Sequence, residues 1–262
     1  MDFITFLSEH YHWQLSLYAA LGIMAVTLIG KRILLLFPEV REIQRLNKEA
    51  EERQLAKSYW PPVRRRSHLW GGLTQLAVFV FILPFCLTLE AQPWWKYPLD
   101  IFIILMVYDF FYYLTHRFLF HNSGNFKGPL LWVHALHHQQ KNPCRSDSSY
   151  LNPLEAAIGL LLYAGCILGL ALIMGPFHVV TIIITWIAFS EINLHNHDLQ
   201  NVDRFPFRYL KYASDMHHIH HARFTAGNFA TISLFYDWLF GTLDKGEGYE
   251  KQPKAEMARR SA

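Results

Sequence analysis

The stretch LDIFIILMVYDFFYYLTHRFLFH, Leu99 to His121, begins as a membrane span and ends in a pair of histidines. Its first part, about Leu99 to Thr115, is an apolar run near the roughly 20 residues needed to cross a bilayer. His116 and His121 follow directly. They are five positions apart, about 140° around an ideal helix, so they need a helix end or a π-bulge to converge. An apolar helix that delivers imidazoles at one end is the unit to look for elsewhere in the chain.

Four further apolar runs are present: about Leu15 to Phe37, Leu69 to Leu89, Leu154 to Met174 and Phe177 to Ser190. Lys31 and Arg32 interrupt the first, where they could snorkel or mark its true end. Pro84 in the second is tolerable in a membrane helix. Trp94, Trp95 and Tyr97, just before the Leu99 run, suit a headgroup boundary. Gly175 and Pro176 alone separate the last two runs, which reads as a tight helical hairpin or a broken re-entrant pair. Over the 262 residues, 52% are apolar and only 17% charged, against roughly 25% charged in soluble domains.

If all five runs cross, 23 of the 24 lysines and arginines fall on one side and only Lys96 on the other. The positive-inside rule assigns the basic side to the cytoplasm, and every histidine group lies there too. The expected fold is an all-α integral membrane protein of four to five transmembrane helices with a cytoplasmic helical cap. Residues 1–68 form an N-terminal span and a charged surface helix, and 69–262 carry the histidines. REIQRLNKEAEERQLAK, within Pro38 to Ser67, reads as a solvated or interfacial helix ending at Pro61 and Pro62. Met1 to Gln14 lacks a positive n-region, so no signal peptide is expected.

Other classes find little support. Cys86, Cys144 and Cys166 are too few and scattered for a disulfide framework, and no CxxC pair occurs. The basic segments lack the interleaved aromatics of a single-strand groove, and no nucleic-acid-binding motif is present, so nucleic acid is not an expected partner.

The fifteen histidines cluster. HRFLFH holds His116 and His121; HALHH holds His134, His137 and His138; HNH holds His195 and His197; and MHHIHH holds His217, His218, His220 and His221. Positions i, i+3 and i+4 share one stripe of a helix, so an HxxHH trio projects three imidazoles to one side, leaving His218 elsewhere. A lone histidine is more often hydrogen-bonded or exposed than a ligand, but a polar patch does not explain the repeated spacing. Neutral imidazole suits zinc, iron and copper, and so many ligands exceed one ion, which implies two. His10, His12, His68 and His178 fall outside the groups and read as boundary residues.

In order, DFFYYLTHRFLFH, LWVHALHH, NPLE, HNH, MHHIHH and WLFGTL cover about Asp109 to Leu243. This series resembles the fatty acid hydroxylase superfamily, also called the sterol desaturase family, of membrane non-haem di-iron oxygenases. The resemblance makes 69–262 a hydroxylase-like catalytic domain and places metal ligands on His116, His121, His134, His137, His138, His195, His197, His217, His220 and His221. Relatives often carry HxN where this chain has His195, Asn196 and His197. They often carry HPxE where it has Asn152 to Glu155, which points Asn152 to a supporting hydrogen bond instead of ligation. Glu155 could orient a ligand histidine or cap its span. Asp109 and Asp215 could accept the second N–H of ligand imidazoles or be ordinary helix-end residues, with Asp109, inside an apolar run, the better functional candidate. Asp237 and Gly241 read as fixing the fold of the C-terminal cap.

The resemblance further implies two iron ions, with zinc possible on purification, that reduce O2 and remove hydrogen from an unactivated C–H bond of a membrane lipid. An alcohol results, or a double bond if a second hydrogen is lost. No flavin, haem or iron–sulfur motif occurs, so electrons must come from a separate reductase, ferredoxin or cytochrome b5 type of carrier. A metal transporter would need ionisable ligands deep in its spans. A non-catalytic metal-binding relative is the other alternative. Bacterial inner membrane and endoplasmic reticulum fit the charge asymmetry equally.

Overall fold

The structure, a computed structural model, describes residues 9–247. The reading of Met1 to Gln14 lies partly outside the described residues, and Lys251, Lys254, Arg259 and Arg260 lie wholly outside them. In chain order the elements are α1 (Trp13–Leu34), α2 (Pro38–Leu55), α3 (Trp60–Phe81), β1 (Leu87–Thr88), α4 (Lys96–Leu114), α5 (Leu131–His134), α6 (Pro153–Met174), β2 (Phe177–His178), α7 (Val179–His195), α8 (Phe207–Ala222) and α9 (Phe235–Leu239).

Among the described residues, four helices are long and apolar enough to cross a membrane: α1, α3 extended to Phe85, α4 extended to Phe120, and α6. The fifth run forms α7, whose 17 residues reach about 25 Å at 1.5 Å per residue. Each span buries only one stripe. On α6, Tyr163, Ala164 and Ile167 are buried, whereas Leu172 and Ile173 are 81% and 83% exposed. A large aliphatic side chain gains roughly 1.5–3 kcal/mol on leaving water, so this exposed belt requires a hydrocarbon surround. Between the spans, Tyr163 stacks on Phe189 at 4.5 Å, Tyr108 meets Phe189 edge-on at 5.1 Å, and the Tyr163 hydroxyl donates to Thr185 at 2.8 Å.

Element ends follow local chemistry. Asn152 Oδ1 accepts from Leu154 N at 3.0 Å and Pro153 occupies the first helical position, so α6 starts there. Gly175, at φ 85°, ends it. Pro61 and Pro62, read as the end of the surface helix, instead begin α3, whose first turn needs no amide donor. The second span therefore starts nine residues before Leu69, with Arg64, Arg65 and Arg66 at its entrance.

Both ends of the bundle are tied. At one, His12 N donates to Pro84 O at 3.0 Å, Leu87 pairs with Phe177 in a two-residue parallel ladder, and Tyr97 meets His178. The other end carries the ends of α1, α4 and α7 and the starts of α3 and α6, with a helical cap above it. Helix α2 belongs to that cap and is not merely solvated. Its Asn47 accepts from Arg145 N and Leu199 N at 2.9 and 3.0 Å, and Gln54 donates to Gln140 and Asp147. Helix α9 lies beside α4, where the Tyr236 hydroxyl donates to Met106 O at 3.0 Å.

Candidate metal centre

At its membrane-surface end α4 loosens into a π-helical turn, Thr115–Phe120, the device that lets His116 and His121 converge. HALHH is not one regular helix, yet its rings keep helix-like spacing, 4.6 Å between His134 and His138 and 6.1 Å between His137 and His138. Helix α5 stops at His134, and His137–Gln139 form a 3-10 turn. His217, His220 and His221 do lie on one helix, α8. His197 follows the end of α7.

These elements assemble two pockets. His116, His121, His134, His138 and His220 form one, and His137, His197, His217 and His221 the other; within each, the ligand atoms lie within 4.8 Å of one another. Both HxxHH trios are therefore divided between pockets. On α8, His217 and His221 stand 40° apart and His220 lies 60° to the other side of His217, which lets one helix serve both.

The rings are held from behind. His116 Nδ1 donates to Phe229 O (2.7 Å), His121 Nδ1 to Phe224 O (3.0 Å) and His220 Nδ1 to Gly227 O (2.7 Å). In the second pocket His137 Nδ1 donates to Tyr150 O (3.4 Å), His197 Nδ1 to Asn193 O (2.9 Å) and His221 Nδ1 to Gln140 O (3.0 Å). His134 Nδ1 bonds Glu155 Oε1 at 2.7 Å. A carbonyl only accepts, so each of the six Nδ1 atoms that faces one carries the proton and the opposite Nε2 is bare in the neutral ring.

Bare nitrogens then face one another. His116 and His220 approach to 3.1 Å through Nε2, and His137 and His197 to 3.0 Å. Two lone pairs at that distance repel unless a cation lies between them. Two ligands about 2.1 Å from an ion and at right angles are about 3.0 Å apart, which matches. Nε2 of His121 and of His221 are buried without a protein hydrogen-bond partner, as donors awaiting a metal would be. The residues fit a metal in each pocket.

Protonation does not relieve the repulsion. Burial, reinforced by neighbouring imidazoles, pushes His137 down to about 3, and burial alone dominates for His197 at about 3 and His220 at about 4. His134, His138, His217 and His221 fall well below the ordinary histidine range for the same reason. Eight of the nine rings are buried, and His217 is partly exposed.

The model of the fatty acid hydroxylase family matches residues 101–242, more than half of the chain and the whole of both pockets. The chain belongs to the fatty acid hydroxylase family. Its curated relatives include methylsterol monooxygenase 2-2 of Arabidopsis thaliana, 28% identical over 58% of this chain and 55% of that protein. Methylsterol monooxygenase 1 of Rattus norvegicus is 27% identical over 63% of this chain and 54% of its own. A very-long-chain aldehyde decarbonylase of Oryza sativa is 29% identical over 59% and 56%. The chain spans about half the length of these curated relatives. No solved structure matches it. Members of the family use iron, and both pockets could hold it.

Nine of the ten histidines expected as ligands converge. His195 does not: as the last residue of α7 it places Nδ1 3.0 Å from Asp198 and Nε2 2.9 Å from Gln200, outside both pockets. His197, beyond the helix end, enters instead. His218 belongs to neither group.

The supporting residues divide among a ring, a helix cap, a loop and an ion pair. Glu155, read either as a cap or as a partner of a ligand, bonds His134. Asn152 caps α6, because its side chain stays beside its own helix N-terminus. Asp109 accepts from Thr231, Ile232 and Ser233 backbone N–H at 2.8–3.1 Å and from the Ser233 hydroxyl, and so clamps a loop in place of an imidazole. Asp215 pairs with Lys211 at 2.5 Å. The carbonyls of Phe224, Gly227, Phe229, Gln140, Tyr150 and Asn193 were not legible, since a backbone acceptor leaves no mark on residue type. One signal existed: a Cβ on Gly227 would lie 1.7 Å from Thr242 O.

Proposed function

We propose that the chain is a membrane di-iron enzyme that hydroxylates an alkyl carbon of a membrane lipid with O2 and electrons from a separate donor. The observation that carries this reading is the pair of adjoining imidazole pockets with bare, mutually facing nitrogens. His116, His121, His134, His138 and His220 would hold one ion and His137, His197, His217 and His221 the second; bound iron would supply O2 reduction and hydrogen removal from a C–H bond.

The chain's own part is positioning. Six backbone carbonyls keep the proton of His116, His121, His137, His197, His220 and His221 on Nδ1, so these rings present bare Nε2 donors to the pockets. Burial keeps bulk water from most of the rings. A cavity of about 30 Å³, the room of roughly one water molecule, adjoins partly exposed His217 and is lined in part by Asn196, Asn228, Thr231 and Ser233. The relatives' names, methylsterol monooxygenase and aldehyde decarbonylase, support an alkyl or acyl lipid as substrate. Among the described residues, 19 of the 20 lysines and arginines lie on the pocket side of the spans, which supports a cytoplasmic orientation.

The test compares lipids of cells carrying the active chain with those carrying His137→Ala or His220→Ala, under 18O2. An 18O-labelled lipid alcohol made only by the active chain, with two metal ions per chain reduced to about one in each variant, is the expected result. A new double bond in place of the label would establish a desaturase. Unchanged lipids with both metals bound would establish a non-catalytic protein, and full metal content in both variants would sink the ligand assignment.

A further inference from the structure

The carbonyls behind the rings come mostly from two loops, and each loop is locked by a buried aspartate that touches no imidazole in the described structure. Behind the five-histidine pocket, Asp237 accepts from Phe229 N and Ala230 N, both at 2.8 Å, and from the Thr242 hydroxyl at 2.7 Å. Phe229 thus has its N–H on Asp237 and its C=O on His116. The same loop supplies Phe224 O to His121 and Gly227 O to His220. Thr242 O receives Asn228 N at 3.1 Å, which presses the loop against the end of the chain's WLFGTL stretch.

Behind the four-histidine pocket, Asp147 accepts from Cys144 N (2.9 Å), Trp60 Nε1 (2.7 Å) and Gln54 Nε2 (2.9 Å). Tyr150 N donates to its backbone carbonyl at 2.9 Å. Gln54 also holds the Gln140 side chain. Gln140 O and Tyr150 O are the acceptors for His221 and His137. Asp147 therefore connects α2 and α3 to two ligands of one pocket, and Asp237 connects α9 to three ligands of the other. Both carboxylates are fully buried, so neither is a surface cap.

We propose that Asp147 and Asp237 are positioning residues with separate targets: Asp147 sets metal affinity at the four-histidine pocket and Asp237 at the five-histidine pocket. Each acts by fixing the carbonyls that fix ring orientation and tautomer, since a ligand imidazole depends on the acceptor behind it. An asparagine at either position keeps the volume but replaces one acceptor oxygen by a donor, which opposes the N–H groups now bound there. Loss of an outer partner of a metal ligand weakens binding by roughly 10–100-fold.

This inference rests on the two-metal reading, and its test separates the two. The full chain, purified in detergent and loaded with zinc, is titrated with chelators of graded strength. Wild type holds two zinc ions, and His137→Ala and His220→Ala hold about one each; failure here overturns the two-metal reading itself. In Asp147→Asn, one zinc binds about 10–100-fold more weakly and the other at wild-type strength. Combining Asp147→Asn with His220→Ala leaves only the weakened zinc, whereas combining it with His137→Ala leaves a zinc of wild-type strength. Asp237→Asn gives the mirror pattern. With two sites verified in wild type, equal weakening of both zinc ions, or of neither, or the same pattern for both aspartates, overturns the proposal. The retained pocket reports in each variant that the chain is folded.

Discussion

The two histidine pockets adjoin but are built from different materials. The five-histidine pocket draws on the π-turn after α4, the α5 region and α8, is fully buried, and has a carboxylate, Glu155, bonded to one ring. The four-histidine pocket draws on the 3-10 turn, the end of α7 and α8, has one partly exposed ring, and rests on carbonyl acceptors without a carboxylate on any ring in the described residues. A carboxylate partner raises ring basicity and binds positive charge more strongly than a neutral carbonyl does. The five-histidine pocket is the more enclosed. The other, beside the cavity at His217, is the more accessible.

The largest expected effect tests whether the five-histidine pocket depends on the loop behind it. Asp109→Ala strands the buried N–H of Thr231 and the partly buried N–H groups of Ile232 and Ser233; at about 1–3 kcal/mol for a buried group and about 1 for each of the others, stability should fall by about 3–5 kcal/mol. Denaturant unfolding in detergent measures it, and a loss under 1 kcal/mol would mean that water reaches the loop. Glu155→Gln should be next, weakening one zinc by about 10–100-fold in chelator competition and leaving the other unchanged. Equal weakening of both would erase the distinction drawn between the pockets. The smallest effect is expected from His195→Ala, which removes bonds to Asp198 and Gln200 at a cost of about 1–2 kcal/mol with both metals retained. Loss of a metal from that variant would restore His195 to the ligand set.

Much of this was legible in the chain before folding. Apolar run length marked the spans, because bilayer thickness sets a residue count that composition reveals directly. The spacing of His116 and His121 demanded a broken or widened helix, and a π-turn is there. Asp237 and Gly241 were read as fixing the cap, which agrees with the bonds of Asp237 to Phe229 and Ala230. Asp109 misled because a carboxylate within an apolar run signals a buried partner without saying which. An imidazole and three backbone amides satisfy it equally well.

Residue type and spacing by themselves determined that this is a helical membrane protein with histidines gathered at one end, since hydropathy and helical period are local properties. Only the tertiary structure decided which histidine shares a pocket with which. His220 and His221 are neighbours in the chain yet about 100° apart on α8, and what each faces depends on where α4, α7 and the loops at 140–150 and 224–233 come to rest. The same holds for the carbonyls that hold the rings. A backbone oxygen is identical in every residue, and only packing gives it a direction.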